Sequence, residues 1–393
     1  MLDSIVILGA ARTPMGAFQG DFSSLSANDL GGAAIRAAVG RAGIAPEKVD
    51  EVLFGNCLMA GQGQAPARQA GFKGGLPAST GAVTLSKMCG SGMEATLLAH
   101  DQLVAGSRDV VVAGGMESMT NAPYLLPKAR GGMRIGHDRI FDHMMLDGLE
   151  DAYEAGRSMG TFGEDCAAKY GFTRAQQDAF ATASVQRAQV ASASGAFEAE
   201  ITPVTVKSRT GEAVIARDEA PGKVRLDKIA SLKPAFRKDG TITAASSSSI
   251  SDGAAALVLS RASTAKELGA TPLARIVGHA TFAQAPEWFS TAPVGAVNKL
   301  LKKIGWEVAD VDLWEINEAF AVVPMAAMAD LGLNHDIVNV NGGACALGHP
   351  IGASGARILV TLIHALKARG LHKGVATLCI GGGEATALAL EII

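Results

Sequence analysis

Aromatic residues, cysteines and long apolar segments are all scarce in this chain of 393 residues. Phe, Trp and Tyr together make up 5% of the sequence, so aliphatic and small side chains must fill most of the core. The five cysteines, at positions 57, 89, 166, 345 and 379, have no metal-ligand spacing, and a sparse, odd set argues against a disulfide framework. No uninterrupted apolar run reaches the ~18 residues that a membrane span needs.

Charge is also sparse, and this narrows the classes of partner. Charged residues make up 19% of the chain and the formal net charge is −3. Neither value is typical of a protein that binds nucleic acid or a membrane surface, so we expect neither as a partner. The N-terminal residues lack the basic region and cleavage site of a secretion signal. Together with the few cysteines, this predicts a cytoplasmic location.

Hydrophobic residues, by contrast, make up 48% of the chain, and glycines number 47. Such a composition supports a large buried core, and the length predicts roughly two or three domains. The glycines favour tight loops and close packing of helices on sheets.

The chain contains an internal duplication. Residues 41–56 recur as residues 303–317, with a glycine seven residues before the Asp of a Val-Asp pair in each copy. A second matched pair follows in the same order, at residues 89–117 and 352–384. In both copies short apolar strand patterns alternate with helical patterns, which indicates buried α/β layers in each half.

The region between the copies differs in character and is too long for a plain connection. We expect residues 1–118, completed by 250–269, to form the first half, 119–249 an inserted loop domain, and 270–393 the second half. Thr173 and Gln176 have the spacing of a capping box and predict a helix that runs to Ser194. Residues 200–240 carry nine Lys or Arg against six Asp or Glu, either as a solvated surface or as a site for an anionic ligand.

Cys89 follows an apolar stretch, residues 82–85, and precedes a helical stretch opened by Gly90 and Gly92. A helix N-terminus stabilises an anion, so we expect the pKa of this thiol to be lowered and its nucleophilicity raised. On its own the pattern is weak, because an isolated cysteine is more often an inert, small apolar residue.

His349 lies between Gly348 and Pro350 at the start of the corresponding stretch of the second half. A single histidine is more often a surface or core residue than a catalytic one. When the two copies of the duplication are aligned, however, the loop of His349 matches that of Cys89. Two-fold pseudo-symmetry between the halves therefore predicts that the two loops meet. A Cys beside a His is the arrangement that activates a thiolate.

Two further stretches carry polar residues at the ends of apolar strands. Cys379 precedes three glycines, 381–383, whose backbone N–H groups are candidate oxyanion donors, and its thiol is a candidate acid or base. Asn317 and Glu318 interrupt the apolar stretch 314–321. Buried polar groups need partners, so these two side chains are either structural or catalytic.

These stretches together closely resemble the thiolase family, over essentially the whole chain. Each motif alone is only suggestive, but their common order and the duplication make the resemblance specific. The matching segments are residues 11–14 (Ala-Arg-Thr-Pro), 86–94, 114–119 (Gly-Gly-Met-Glu-Ser-Met), 251–256, 314–321, 339–355 and 378–384.

The resemblance implies a two-stage acyl transfer between coenzyme A (CoA) thioesters. His349 takes the proton of Cys89, whose thiolate attacks an acyl-CoA, and Cys379 then deprotonates a second acetyl-CoA for a Claisen condensation. One oxyanion hole uses His349 with a water held by Asn317, and the other uses the N–H groups of Cys89 and Gly381. No metal or redox cofactor is implied, since acetyl-CoA, acetoacetyl-CoA and CoA are substrates and products.

The resemblance also assigns CoA binding, mainly to the inserted region. Lys223 or Arg225 is expected near the CoA phosphate, and Phe289 stands where a Met commonly lines the acyl pocket. The chain departs from the common short-chain pattern at Ser158 and in the serine run 246–249 as well. The other expected CoA-binding residues are Leu149, Met159, Ala235, Phe236, Ala244, Ser248, Ala319 and Phe320.

The implied fold is α/β: two duplicated halves form a five-layered α-β-α-β-α core, and the inserted loop domain covers the active site. Members assemble as dimers or dimers of dimers, and residues 131–147 fall where the tetramerisation loop lies, so we expect a homotetramer. The expected reaction joins two acetyl-CoA to acetoacetyl-CoA. The alternative is a broader-range degradative 3-ketoacyl-CoA thiolase, against which Phe289 argues if it narrows the pocket. An inactive CoA-binding protein is disfavoured because all four chemical positions are present.

Overall fold

The computed structural model describes residues 3–208 and 211–393, which form a mixed α/β structure. Its strands are β1 (Ile5–Arg12), β2 (Gly16–Ala17), β3 (Glu51–Gly55), β4 (Gly81–Leu85), β5 (Val110–Ser118), β6 (Tyr124–Leu125), β7 (Phe141–Asp142), β8 (Val204–Ser208), β9 (Gly211–Ile215), β10 (Ser251–Arg261), β11 (Ala274–Ala283), β12 (Leu313–Ile316), β13 (Lys373–Ile380) and β14 (Glu384–Ile392). Its helices are α1 (Ala27–Ala42), α2 (Pro66–Lys73), α3 (Ser91–Val104), α4 (Met159–Tyr170), α5 (Arg174–Ser194), α6 (Ala262–Glu267), α7 (Ala292–Ile304), α8 (Val322–Leu331), α9 (Ala344–Leu347) and α10 (Ile351–Arg369).

The two halves repeat one strand order. In the first half the order is β4-β3-β5-β10-β1, with β3 parallel to both β4 and β5 and the remaining pairs antiparallel. In the second half it is β12-β13-β14-β11, with β12 parallel to β13 and the rest antiparallel. A parallel bridge from Trp314 to Val338 stands where β4 lies in the first half. The duplication in the sequence is therefore a duplication of the sheet.

Successive side chains along each strand point to opposite faces of the sheet and enter different hydrophobic cores. The helices that cover these faces form the layers of the fold. Val6 and Leu8 of β1 pack against α1, whereas Ile5 and Ile7 face a central core that also holds α3 and α10. Strands of the second half contribute to the same central core on one face and pack against α7 and α8 on the other. The sequence of layers is α1 with α2, the first sheet, α3 with α10, the second sheet, and α7 with α8. The predicted five-layered core is confirmed.

The halves are joined along β1 and β11, which pair through only two residue pairs. Helices α3 and α10 lie between the remaining parts of the two sheets. Helix α10 packs so closely on α3 and on β5 that only glycine fits at two of the contact points. A Cβ on Gly92 would lie 2.8 Å from the backbone nitrogen of Ala356, and one on Gly115 would lie 2.0 Å from the carbonyl oxygen of Gly352. Because α3 follows Cys89 and α10 follows His349, this close packing sets the distance between the two loops.

A buried charge network attaches the inserted region to the first half. The Arg12 guanidinium donates to Glu200 at 2.6 Å and to both carboxylate oxygens of Asp218 at 2.7 and 2.9 Å, with every side chain fully buried. Arg41 adds hydrogen bonds to the carbonyls of Glu200 and Ile201, both at 2.8 Å. A buried cation bonded to two carboxylates holds its partners in one geometry. The Ala-Arg-Thr-Pro motif thus has a structural role.

The predicted helix of the inserted region is present. Its N-cap Thr173 and residue Gln176 form the reciprocal bonds of a capping box, and the helix α5 ends at Ser194 before Gly195 with φ 78°. It packs on α9 and on the Leu226–Ser231 turn, which places the inserted region against the second half.

Helix α10 is long and apolar enough to cross a membrane by length and composition alone. Of its most apolar 18-residue stretch, however, 83% is buried inside the fold. Its side chains fill the central core between the two sheets, as expected of a core helix.

Candidate active site

A cavity of about 450 Å³ opens where the loops ahead of α3 and α10 meet the inserted region. Three predicted catalytic residues line it: Cys89, His349 and Gly381. Eight predicted CoA-binding residues line it as well, namely Leu149, Met159, Ala235, Phe236, Ala244, Ser248, Ala319 and Phe320. The structure thus brings together, in one concave site, residues from both halves and from the inserted region.

A strained turn presents Cys89. Met88, directly before it, has φ 45°, a left-handed conformation that is costly for a residue with a side chain. Ser91 stabilises the turn, because its hydroxyl donates to the Met88 carbonyl at 2.6 Å and accepts from the Lys87 N–H at 2.8 Å. A Cβ on Gly90 would lie 2.4 Å from the Ile380 side chain, which explains the glycine after the cysteine.

The hydrogen bonds of His349 define its tautomer. Ser354 Oγ donates to the carbonyl of Pro350 at 2.9 Å, so its lone pairs must accept from His349 Nδ1–H at 2.6 Å. The other ring nitrogen, Nε2, is buried and has no hydrogen-bond partner within residues 3–208 and 211–393. Since Nδ1 carries the proton, Nε2 presents a free lone pair at the cavity, as a general base requires.

Cys379 and Asn317 do not line the cavity, but each lies close to a residue that does, Cys379 to Cys89 and Asn317 to His349. Cys379 is the penultimate residue of β13 and is 1% exposed, whereas Gly381, two residues on, reaches the cavity and its N–H donates to Cys89 Sγ. Asn317 follows β12, and its Nδ2 lies 3.4 Å from His349 Nδ1. Asn317 thus contacts Nδ1 of His349 and not Nε2, the ring nitrogen that acts as the base.

Burial sets the protonation of the Cys89–His349 pair. It raises the pKa of the Cys89 thiol to about 11, although the N–H groups of Gly381 and of Cys89 itself favour the thiolate. Burial also lowers the pKa of His349 to about 3, with a smaller contribution from the positive charge of Arg357. The prediction that the helix N-terminus lowers the pKa of Cys89 is therefore wrong, because desolvation outweighs it. At neutral pH both groups are uncharged.

This protonation state predicts how alkylation of Cys89 depends on pH. Only the thiolate reacts, and with its pKa near 11 the thiolate fraction rises about tenfold per pH unit. We expect the rate of inactivation by iodoacetamide to rise about tenfold per unit from about pH 7 to about pH 9. A rate that levels off below about pH 8 would show instead a thiolate stabilised at rest.

Glu117 is a positioning residue that the sequence reasoning missed. Its carboxylate accepts from Asn56 Nδ2 at 2.6 Å, from the N–H groups of Cys57 and Leu58 at 3.0 and 3.1 Å, and from that of Gly352 at 2.9 Å. It thereby ties the loop after β3 to the first turn of α10. Burial raises the pKa of Glu117 to about 7 despite these donors. The sequence feature that could have identified Glu117 is an acidic residue within an otherwise apolar strand pattern.

Glu318 has a structural role. Its two oxygens accept from Ser184 Oγ at 2.6 Å, Asn339 Nδ2 at 2.8 Å and the Cys345 N–H at 3.0 Å. A Cβ on Gly343 would collide with the same carboxylate at 2.3 Å. Glu318 thus fixes the loop that leads to His349, and of the two alternatives for this side chain the structure favours the structural one.

The structure does not bring Lys223 to the cavity. Its side chain is exposed and pairs with Glu219 at 2.5 Å, and Arg225 likewise pairs with Asp227 at 3.0 Å. These pairs agree with the solvated-surface alternative for the basic segment, and a contact of Lys223 with the CoA phosphate stays a prediction. Phe289 does line the cavity, where its ring meets those of Phe162 and Phe320 edge-on.

Known protein families and known proteins match this chain over nearly its whole length. Residues 5–263 match the family model "Thiolase, N-terminal domain" and residues 270–392 match "Thiolase, C-terminal domain". An acetyl-CoA acetyltransferase of Allochromatium vinosum is 48% identical over 393 residues, covering 100% of both chains. Acetyl-CoA acetyltransferase 2 of Arabidopsis thaliana is 50% identical over 392 residues, covering 99% of this chain and 97% of its own.

Solved structures agree. The Bacillus anthracis acetyl-CoA acetyltransferase superposes with a TM-score of 0.97 at 42% identity, covering 100% of this chain and 99% of its own. The Acat5 thiolase of Ascaris suum, solved in complex with coenzyme A, superposes with a TM-score of 0.94 at 42% identity, covering 99% of this chain and 100% of its own. Sequence motifs, layered fold and full-length similarity all agree, and the chain belongs to the thiolase family.

Proposed function

We propose that this protein is an acetyl-CoA acetyltransferase, which joins two acetyl-CoA to acetoacetyl-CoA and CoA in a reversible Claisen condensation. The observation that carries the proposal is the similarity, at 48–50% identity over nearly the full length, to acetyl-CoA acetyltransferases. The cavity supports it, because Cys89, His349 and Gly381 line it together.

In the first half-reaction Cys89 attacks the acetyl-CoA carbonyl while Nε2 of His349 accepts its proton. The N–H groups of Cys89 and Gly381 stabilise the oxyanion, and each such donor typically contributes about 3–4 kcal/mol. CoA leaves as a thiolate and takes the proton of Cys379. The products are acetyl-Cys89, protonated His349 and the Cys379 thiolate. Because the resting pair is uncharged, the reactive thiolate forms only as the carbonyl is attacked.

In the second half-reaction the Cys379 thiolate removes a proton from the methyl carbon of the second acetyl-CoA. Protonated His349, assisted by a water near Asn317, stabilises the resulting enolate. The enolate carbon attacks acetyl-Cys89 to form the new carbon–carbon bond. Cys89 then leaves as a thiolate and recovers its proton from His349, so every group returns to its starting state.

Thiolysis assays test the proposed substrate. Wild-type protein should cleave acetoacetyl-CoA with a kcat/KM well above that for a 3-ketoacyl-CoA with a longer chain. Comparable values for both substrates would favour the broader-range degradative thiolase. No activity on either substrate by folded protein would overturn the enzyme assignment.

Phe289 is proposed to set this preference. Its ring is 3% exposed and occupies the cavity wall beside Phe162 and Phe320. Phe289→Met should open room for extra methylenes and raise kcat/KM for the longer substrate relative to acetoacetyl-CoA by about tenfold. The matched control is Phe180→Met, a buried ring outside the cavity lining. An unchanged ratio in Phe289→Met would remove Phe289 from chain-length selection.

We also propose a homotetramer held by residues 131–147. This segment exposes Met133, Ile135, Ile140 and Leu146, with Ile135 98% exposed, and several exposed apolar side chains in one segment are typical of association surfaces. Ile135→Asp should reduce the mass in solution from that of a tetramer to that of a dimer. Val214→Asp, an exposed apolar position on β9, is the control and should leave the mass unchanged. A tetramer that persists in Ile135→Asp would contradict the assignment.

Finally, we propose that the reaction uses no catalytic metal and no redox cofactor, and that it takes place in the cytoplasm. The thioester itself acidifies the α-carbon, and backbone N–H groups and His349 supply the oxyanion donors. Activity that survives exhaustive treatment with a chelator would support this, and activity lost to the chelator and restored by a metal would refute it.

A further inference from the structure

Three metal-ligating side chains meet along α3, away from the cavity. His100 and Asp101 lie on this helix, and His279 projects from β11 of the second half. His100 is nine residues after Ser91, roughly 13 Å along the helix axis from the turn that presents Cys89. The sequence does not reveal this cluster, because His279 lies 178 residues after Asp101.

The ligand atoms are close enough to share one ion. Nδ1 of His100 and Nε2 of His279 each lie 2.9 Å from the same oxygen, Oδ1 of Asp101, and the ligand atoms of the three residues are all within 4.8 Å of one another. Tetrahedral zinc, with bonds of about 2.0–2.1 Å to nitrogen, places its ligand atoms roughly 3.3 Å apart. A zinc geometry therefore requires the two nitrogen–oxygen distances to open by a few tenths of an ångström and the two histidine nitrogens, now within 4.8 Å of each other, to lie at about the same separation.

The surroundings suit a cation with an open coordination position. The His100 and His279 side chains are only 18% and 13% exposed, so their rings are held in place, whereas Asp101 is 59% exposed and leaves room for water ligands. Glu94, two turns earlier on the same helix, adds a second carboxylate nearby.

Lys303 of α7 is a cation beside the cluster. Its ammonium group donates to the His279 carbonyl at 3.1 Å, so the backbone of β11 holds it. The Asp101 carboxylate offsets its charge, and Glu94 is itself close to Lys87. Imidazole nitrogens with one carboxylate are a ligand set for Zn²⁺ and related divalent ions, and not for Mg²⁺ or Ca²⁺, which prefer oxygen.

We propose that His100, Asp101 and His279 bind one Zn²⁺-class ion, which clamps α3 of the first half to β11 of the second. On binding, each ring moves its N–H to its other nitrogen, so that the nitrogen facing Asp101 offers a lone pair to the ion. The clamp crosses the junction where β1 and β11 share only two residue pairs. Its effect is on stability, because an ion that binds only the folded protein raises Tm as its concentration rises. The site takes no part in acyl transfer.

Equilibrium dialysis with ZnCl₂ tests the proposal, on full-length protein whose Cys89 has first been alkylated to remove a competing thiol. Wild type should bind one ion with higher affinity than any other, and Zn²⁺ should raise its Tm. Asp101→Asn, at an exposed position that does not threaten folding, and His279→Asn should each weaken that binding by at least about tenfold and abolish the Tm rise. His372→Asn, an exposed histidine elsewhere, should behave as wild type.

A second readout identifies the ligands directly. Co²⁺ bound at a site with nitrogen ligands and low coordination number gives visible absorption bands, and these should appear in wild type and His372→Asn but not in Asp101→Asn. Equal Zn²⁺ affinity in wild type, Asp101→Asn and His279→Asn would overturn the proposal. So would the absence of a bound ion in wild type, which would leave a hydrogen-bonded cluster only.

Discussion

Replacing Cys89 by Ala is expected to abolish both condensation and thiolysis, with a loss of kcat of about 10⁴-fold or more. The sulfur lines the cavity, receives the Gly381 N–H and is held by a turn in which Met88 has φ 45°. No other cysteine combines these features: Cys57, Cys166, Cys345 and Cys379 are all buried away from the cavity surface. Steady-state thiolysis of acetoacetyl-CoA measures the loss.

Cys166→Ala is the matched control for this substitution. Cys166 is a buried cysteine of α4 that packs beside Phe162 in the core of the second half. It should retain activity within a few fold of wild type, because the change removes one small apolar group. Equal losses in the two variants would mean that Cys89→Ala acts through folding, and substantial activity in Cys89→Ala would remove it as the nucleophile.

Replacing Cys379 by Ala is expected to separate the two half-reactions. Condensation should fall by at least about 10³-fold, because no group remains to deprotonate the methyl carbon of the second acetyl-CoA. Acetylation of Cys89 should persist, since Cys89, His349 and the Gly381 N–H are unchanged and the departing CoA thiolate can take a proton from water in place of Cys379. Incubation with acetyl-CoA followed by measurement of the acetyl-enzyme distinguishes the two steps.

Cys345→Ala is the control here, as a buried cysteine outside the cavity lining whose sulfur contacts Glu318, through the backbone carbonyl at 3.8 Å and through the side chain. It should condense acetyl-CoA at nearly the wild-type rate. Normal condensation by Cys379→Ala would contradict the assigned base. Loss of acetylation as well as condensation would show that the departure of CoA in the first half-reaction depends on the Cys379 proton.

The fold was largely predictable because the duplication can be recognised from short segments of sequence that recur in the same order. Matched segments at residues 41–56 and 303–317 become β3 and β12, each beside a parallel neighbour in its own half. The capping box at Thr173 fixed the start of α5 because its bonds span three residues. Contacts between segments far apart in the sequence could not be predicted. For example, no sequence pattern indicates that Arg12 forms ion pairs with Glu200 and Asp218. The domain boundaries stay a prediction.

The candidate site was predictable where a motif places the residue and not where burial decides its chemistry. The motifs located Cys89, His349 and Gly381, which the structure brings to one cavity. They did not reveal that desolvation raises the pKa of Cys89 and lowers that of His349, because both depend on the packing of the surrounding core. Glu117 was missed for a related reason, since its four donors come from two segments far apart in sequence.

The central claim is that Cys89 carries the acetyl group between the two half-reactions. Protein incubated with acetyl-CoA, quenched in acid and digested should yield one peptide heavier by one acetyl group, attached to Cys89 as a thioester. The label should disappear when CoA is added before the quench, because the first half-reaction then runs in reverse. An acetyl group on another cysteine, or active protein with no acetylated peptide under these conditions, would contradict the account.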